Sequence, residues 1–157
     1  MKARSLILYA SWTGNTKIVA ENIAKGLKKE KIEVEVKNIK EAELKDVESS
    51  DILIVGSATH GGKALRSVKS FFEKLPENAL KNKIGASFAV HGGRGGEKVI
   101  EEIKRYFIEK SIKSVRLSLL IAAGIPFLPL RRPKEVDLRK CEDFGEKIAK
   151  QKKSKKR

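Results

Sequence analysis

Cysteine occurs once in the 157 residues, at Cys141, so no internal disulfide holds this chain together and its core must rest on packing. That thiol falls on an expected helix and reads as a partly buried side chain rather than a nucleophile. With only two histidines, His60 and His91, there are too few ligands for a typical zinc site. Aromatic residues make up 6% of the chain and do not alternate with basic ones, which argues against a groove that stacks single-stranded bases. Long apolar runs are also missing. The longest, residues 117–130, contains Ser118, Pro126 and Pro129 and falls short of the ~18 residues of a spanning helix. Lys2, Ala3 and Arg4 lead directly into a strand pattern, without a signal-peptide signature. The expectation is a cytoplasmic protein with no membrane span.

Charge is what the chain has in excess. Lys and Arg number 35 against 20 Asp and Glu, a net +15. Six of the last eight residues, 150–157, are basic, and the rest of the chain keeps a surplus of nine positive charges. Residues 151–157 read as a disordered, solvated tail, with nucleic acid, anionic lipid or an acidic protein as open alternatives for what it touches. Nucleic-acid binding rests on charge alone and is not expected. The Lys-, Glu- and Ile-rich bias, with glutamine only at Gln151, fits a heat-adapted protein.

The length suits one domain, residues 1–150, ahead of the tail. Short apolar runs recur at 5–10, 34–39, 51–57, 84–90 and 115–123, the second of them alternating like an edge strand. Between them lie helical patterns at 15–29, 64–75, 96–110 and 135–150, with a short helix at 41–47. Continuous Val, Ile and Leu runs suit a parallel sheet covered on both faces. Strands alternating with helices predict a doubly wound α/β sheet. Ligands of such sheets bind beyond the carboxyl ends of the strands, at the topological switch point.

Three loops fall there, at 11–16, 58–63 and 91–96, and they hold seven of the twelve glycines and both histidines. The first is Ser11-Trp12-Thr13-Gly14-Asn15-Thr16, between a strand and a helix. Its hydroxyls, the helix N-terminus and the glycine suit a phosphate. A simple helix cap by Thr13 or Asn15 explains the same residues. The shared position of the three loops favours one ligand site.

In this order the loops resemble the flavodoxin family of FMN-binding electron carriers. Ser11, Thr13, Gly14 and Thr16 are similar to its phosphate loop, and residues 56–62 to its flavin loop after the third strand. Residues 82–88, the Gly-rich loop with Gly96-Glu97-Lys98-Val99, and residues 132–145 are similar to the flavodoxin domain of flavo-diiron proteins. The likeness covers roughly residues 4–150. It implies a five-stranded parallel sheet of order 2-1-3-4-5 with helices on both faces, of the short-chain type. Ser11, Trp12, Thr13, Gly14, Asn15 and Thr16 would hold the FMN phosphate, with only Lys17 as a nearby cation. Ala58, Thr59, His60, Gly61, Gly62 and Lys63 would run along the flavin ring. His60 would face the ring, and Gly61 would let a peptide carbonyl turn toward flavin N5. His91, Gly92, Gly93, Arg94, Gly95 and Gly96 would line the opposite side and the pyrimidine edge.

The chain departs from the family in two ways. Its third loop has no aromatic residue, so the outer ring face is open, covered by His91 or Arg94, or covered by a partner, while Trp12 packs beside the ribityl chain. It is also basic where the family is usually acidic, and Lys63 and Arg94 near the ring imply a less negative potential for the final reduction step. The resemblance implies a low-potential one-electron carrier between redox proteins, its partners offering acidic docking surfaces and no catalytic residue being required. An FMN-dependent oxidoreductase of the quinone or porphyrinogen dehydrogenase type is the alternative. A phosphoacceptor receiver is not, because the first strand ends Tyr9-Ala10 without carboxylates. Residues 119–130 either cap the core or form an apolar patch that docks a second copy.

Overall fold

A computed structural model of the chain describes residues 2–112, 117–123 and 132–155. Six strands and five α-helices follow one another as β1 (Arg4–Ala10), α1 (Asn15–Lys29), β2 (Glu33–Asn38), α2 (Leu44–Glu48), β3 (Ile52–His60), β4 (Lys63–Ala64), α3 (Arg66–Glu73), β5 (Ile84–His91), α4 (Gly96–Glu109), β6 (Leu117–Ala122) and α5 (Glu135–Lys155). Five strands form a parallel sheet in the order β2-β1-β3-β5-β6. This is the expected 2-1-3-4-5 arrangement with one addition, the two-residue β4, which pairs antiparallel with the end of β3.

The sheet is covered on both faces because each central strand is apolar on both faces. Ile7, Ile52, Ile54, Phe88 and Val90 point to the face packed by α1 and α5. Leu6, Leu8, Leu53, Val55 and Ala89 point to the face packed by α3 and α4. Phe88 is fully buried, and its ring occupies the space a Cβ on the neighbouring Gly56 would need, 2.1 Å away. Glycine at 56 is therefore the counterpart of a large side chain at 88. Burying such side chains contributes about 1.5–3 kcal/mol each. Cys141 is wholly buried in the α1/α5 core, more than the partly buried position expected, and burial pushes its thiol up to about 12.

Helices α1 and α5 touch backbone to backbone. A Cβ on Gly26 would lie 2.0 Å from the Glu142 carbonyl oxygen, and one on Gly145 would lie 2.2 Å from that of Ile23. The helices run in the same direction. Arg132 reaches Thr13 at one end, and Lys153 pairs with Glu30 at 2.7 Å at the other.

Several boundaries differ from the sequence reading. The second strand stops at Asn38, and a 3-10 turn over Ile39–Glu41 precedes α2 at Leu44–Glu48, later than the expected 41–47. A reciprocal cap between Glu43 and Asp46 sets that start. β3 continues through Ala58, Thr59 and His60, which were expected in a loop, because β4 supplies it with an antiparallel partner. α5 continues to Lys155, so residues 151–155 are helical where a disordered tail was expected. Lys and Gln are good helix formers, cations are favourable near a helix C-terminus, and the Lys153–Glu30 pair ties that turn to α1. Of the expected apolar stretch 119–130, residues 124–130 lie outside the described residues; Leu120 is exposed on β6. Among the described residues no helix is long and apolar enough to cross a membrane.

Gly145→Ala is expected to destabilise the fold by about 1–3 kcal/mol through overpacking, although alanine gains about 1 kcal/mol in helix propensity. A thermal melt checks this; a raised midpoint would show that the two helices separate freely.

Candidate functional site

A cleft of about 970 Å³ opens beyond the carboxyl ends of β1, β3 and β5. It sits where the chain leaves β1 toward one side of the sheet and β3 toward the other, the switch point of a doubly wound fold. All three Gly-containing loops contribute. Trp12, Thr13, Asn15 and Thr16 line it from the first, Ala58, Thr59, His60, Gly61 and Gly62 from the second, and Gly92, Gly93, Arg94 and Gly95 from the third. Val90, Lys98 and Ala123 also line it, although none was anticipated. Among the described lining residues the charged ones are Arg94 and Lys98, and none is acidic.

The first loop is built to leave donors exposed. Gly14 takes the N-cap position of α1 at φ 89°, and no side chain caps the helix. Neither Thr13 nor Asn15 acts as the expected cap. A helix start without a side-chain cap carries N–H groups and a positive dipole end suited to an anion. Gly14 itself donates its N–H to the Ser11 hydroxyl at 2.9 Å, so that group belongs to the loop's own turn. Thr16 is 1% exposed, and its hydroxyl has no hydrogen-bond partner among the described residues. An orphaned buried hydroxyl costs about 1–3 kcal/mol, which a ligand oxygen in the cleft offsets. Thr59, another lining residue, carries a second such hydroxyl.

Over this loop lies Arg132, which was not anticipated as a site residue. Its Nη1 donates to the Thr13 carbonyl at 2.7 Å and to Asn15 Oδ1 at 3.0 Å. The sequence reading had left Lys17 as the nearest cation.

The second loop is a tight hairpin between β3 and β4, turned by Gly61 at φ 56° and Gly62 at φ 76°. Two contacts, one buried and one partly buried, fix its base. Ser57 Oγ accepts from the Leu65 N–H at 3.0 Å. Glu102 on α4 accepts from the Ala64 N–H at 3.0 Å and from the Tyr106 hydroxyl at 2.7 Å. Burial and that carboxylate push the Tyr106 phenol up to about 12. At the hairpin's tip His60 meets Trp12 edge to face, with ring centroids 4.5 Å apart. Trp12 is 65% exposed, so the pair forms one rim of the cleft.

The third loop is open. Gly92, Gly93 and Arg94 are exposed, and Gly93 and Gly95 take φ 144° and 90°. His91 ends β5, accepts from the Gly93 N–H at 3.2 Å and, like Leu120, packs against Gly96. His91, Ser11, Gly14, Lys63 and Gly96 flank the lining residues in sequence but do not line the cleft. The Lys98 side chain runs over Gly62, 3.2 Å from where its Cβ would be, and takes the position beside the cleft anticipated for Lys63.

A sequence model of the flavodoxin domain matches residues 6–124. The chain belongs to the flavodoxin family. Members of this family bind FMN and serve in electron transport. The chain is 38% identical over 95 residues to a flavodoxin of Aquifex aeolicus, an alignment covering 58% of this chain and 51% of that one. It is 26% identical over 153 residues to the nitric oxide reductase of Moorella thermoacetica, covering 94% of this chain and 36% of that protein. The chain thus spans about half the length of the first relative and about a third of the second. A solved flavodoxin from the domain Archaea superposes with a TM-score of 0.79 at 26% identity, over 94% of this chain and 97% of that one. The orphaned hydroxyls, the positive-φ glycines and the cations Arg94 and Lys98, with no acidic residue among the described lining, fit a phosphorylated flavin.

Glu102→Ala removes the partner of the Ala64 N–H and is expected to cost about 1–3 kcal/mol. Amide exchange over residues 60–65 is expected to quicken; unchanged exchange would show that the hairpin stands without this tether.

Proposed function

We propose that this chain binds FMN non-covalently in the cleft and carries electrons one at a time between redox proteins. The observation that carries this reading is the buried Thr16 hydroxyl at the start of α1, without a partner among the described residues, in a cleft whose described lining has no acidic residue. Bound FMN supplies the one-electron redox chemistry. The chain's own residues bind, orient and expose it. The Thr16 hydroxyl and the first turn of α1 take the phosphate end. Trp12, His60 and the hairpin hold one side of the ring, and Gly92, Gly93, Arg94 and Gly95 flank the other. Gly61 has nothing within 4 Å of its Cβ position, so the peptide there turns at little steric cost. No side chain is needed as acid, base or nucleophile. His60 and His91 are contact and support residues.

The open third loop exposes the ring edge to a docking protein. With a net +15, the fitting partner presents an acidic surface, and its electron-transfer rate falls as salt rises. A cytoplasmic location and a heat-adapted source belong to the same proposal, the latter on the Lys-, Glu- and Ile-rich composition.

The purified protein is expected to be yellow and to release FMN on denaturation. A colourless protein that takes up no FMN would overturn the reading. Arg94 and Lys98 on the cleft wall are expected to make the final reduction potential less negative than in acidic family members. Arg94→Glu with Lys98→Glu should shift it negative by on the order of tens of millivolts in a potentiometric titration. No shift would remove the electrostatic part of the proposal.

One observation favours a second reading. The third loop supplies only glycine and Arg94 to the cleft, which leaves room for a substrate to stack on the ring, as an FMN-dependent quinone or porphyrinogen oxidoreductase needs. Steady-state turnover of a quinone with a nicotinamide donor would decide for it.

A further inference from the structure

We infer that Arg132 is the residue by which this chain distinguishes a phosphorylated flavin from an unphosphorylated one. The inference rests on the FMN reading above and assigns a specificity role to a side chain outside the three Gly-containing loops.

Three features converge on it. First, the phosphate end of the cleft contains acceptors as well as donors. The Thr13 carbonyl and Asn15 Oδ1 are oxygens that would repel a phosphate. Both are taken by one atom, Arg132 Nη1, at 2.7 and 3.0 Å. The guanidinium therefore removes two unfavourable oxygens from the anion's surroundings while adding a positive charge.

Second, both bonds use Nη1, and no described residue engages Nη2 or Nε. A guanidinium has five N–H donors in a fixed fork and stays charged at any physiological pH. The three N–H donors left over suit an oxyanion, and charge-assisted bonds to phosphate are roughly twice as strong as neutral ones.

Third, the group, though exposed and outside the lining of the cleft, is tied to two residues that do line it, Thr13 and Asn15. It lies against Gly14, with Nη1 3.3 Å from the place a Cβ would occupy, and Gly14 is held at φ 89°. The same loop presents the Thr16 hydroxyl, 1% exposed and without a partner. One ligand group, a phosphate, answers both the orphaned hydroxyl and the spare guanidinium donors.

A guanidinium that only pins the loop would affect every flavin alike. One that reads the phosphate affects FMN alone. The test is titration of the apo-protein with FMN and with riboflavin, followed by flavin fluorescence, for the wild type, Arg132→Ala and Arg132→Lys at low and high salt. Arg132→Ala is expected to raise the Kd for FMN about tenfold or more. It should leave riboflavin binding unchanged and flatten the salt dependence of FMN binding. Arg132→Lys keeps the charge and should recover part of the FMN affinity. Riboflavin binding also reports that each variant is folded. Equal weakening of both flavins, or no change in either, overturns the proposal while leaving the FMN reading intact. A wild type that binds neither flavin overturns both.

Discussion

The close crossing of α1 and α5 is the constraint on which the rest of this structure depends. Gly26 and Gly145 leave no room for a side chain between the helices, so their backbones meet. That contact fixes how α5 lies along α1, which buries Cys141, Phe144 and Ile148 against the sheet. It also fixes what stands at the two ends. At the far end Lys153 meets Glu30, an exposed pair of modest energy. At the near end the segment leading into α5 delivers Arg132 onto the loop that starts α1. A packing contact deep in the fold thus places a cation beside the first loop of the cleft.

The cleft itself is made from features that cost stability. Four of its glycines sit at positive φ, two helix starts carry no side-chain cap, and two buried hydroxyls have no partner among the described residues. Each is tolerated because the surroundings are rigid: β1, β3 and β5 are packed on both faces, and Ser57 and Glu102 close the hairpin at its base. Donors without partners are what an anionic ligand needs, so an arrangement that weakens the free protein is one that an anion would stabilise. Among the described lining residues none is acidic, and Arg94 and Lys98 make the field in the cleft positive.

Most of the sheet was legible in the chain because strands buried on both faces read as unbroken Val, Ile and Leu runs, and the order followed from the family resemblance. The end of β3 was not. Ala58, Thr59 and His60 precede two glycines and read locally as loop, and only the antiparallel pairing with β4 makes them strand. The helical continuation through 151–155 was hidden by a run of lysines, whose mutual repulsion reads as disorder until Glu30 is placed opposite Lys153. In the site, the glycines and hydroxyls of the three loops announced themselves by composition. Lys98 and Arg132 did not. A lysine or arginine in a chain with 35 of them carries no local signal, and Arg132 lies 119 positions from Thr13.

By itself, then, the sequence determined the alternation of strands and helices, the sheet's two buried faces and the three loops that share one end, because hydrophobic period and turn chemistry are local properties. It also determined the strong positive charge and the lack of an aromatic in the third loop. Tertiary structure alone decided which cations line the cleft, which hydroxyls are buried without partners among the described residues, and how Trp12 and His60 pair. Those depend on distances between residues far apart in the chain, and for Arg132 the distance follows from two glycines that let α5 settle against α1.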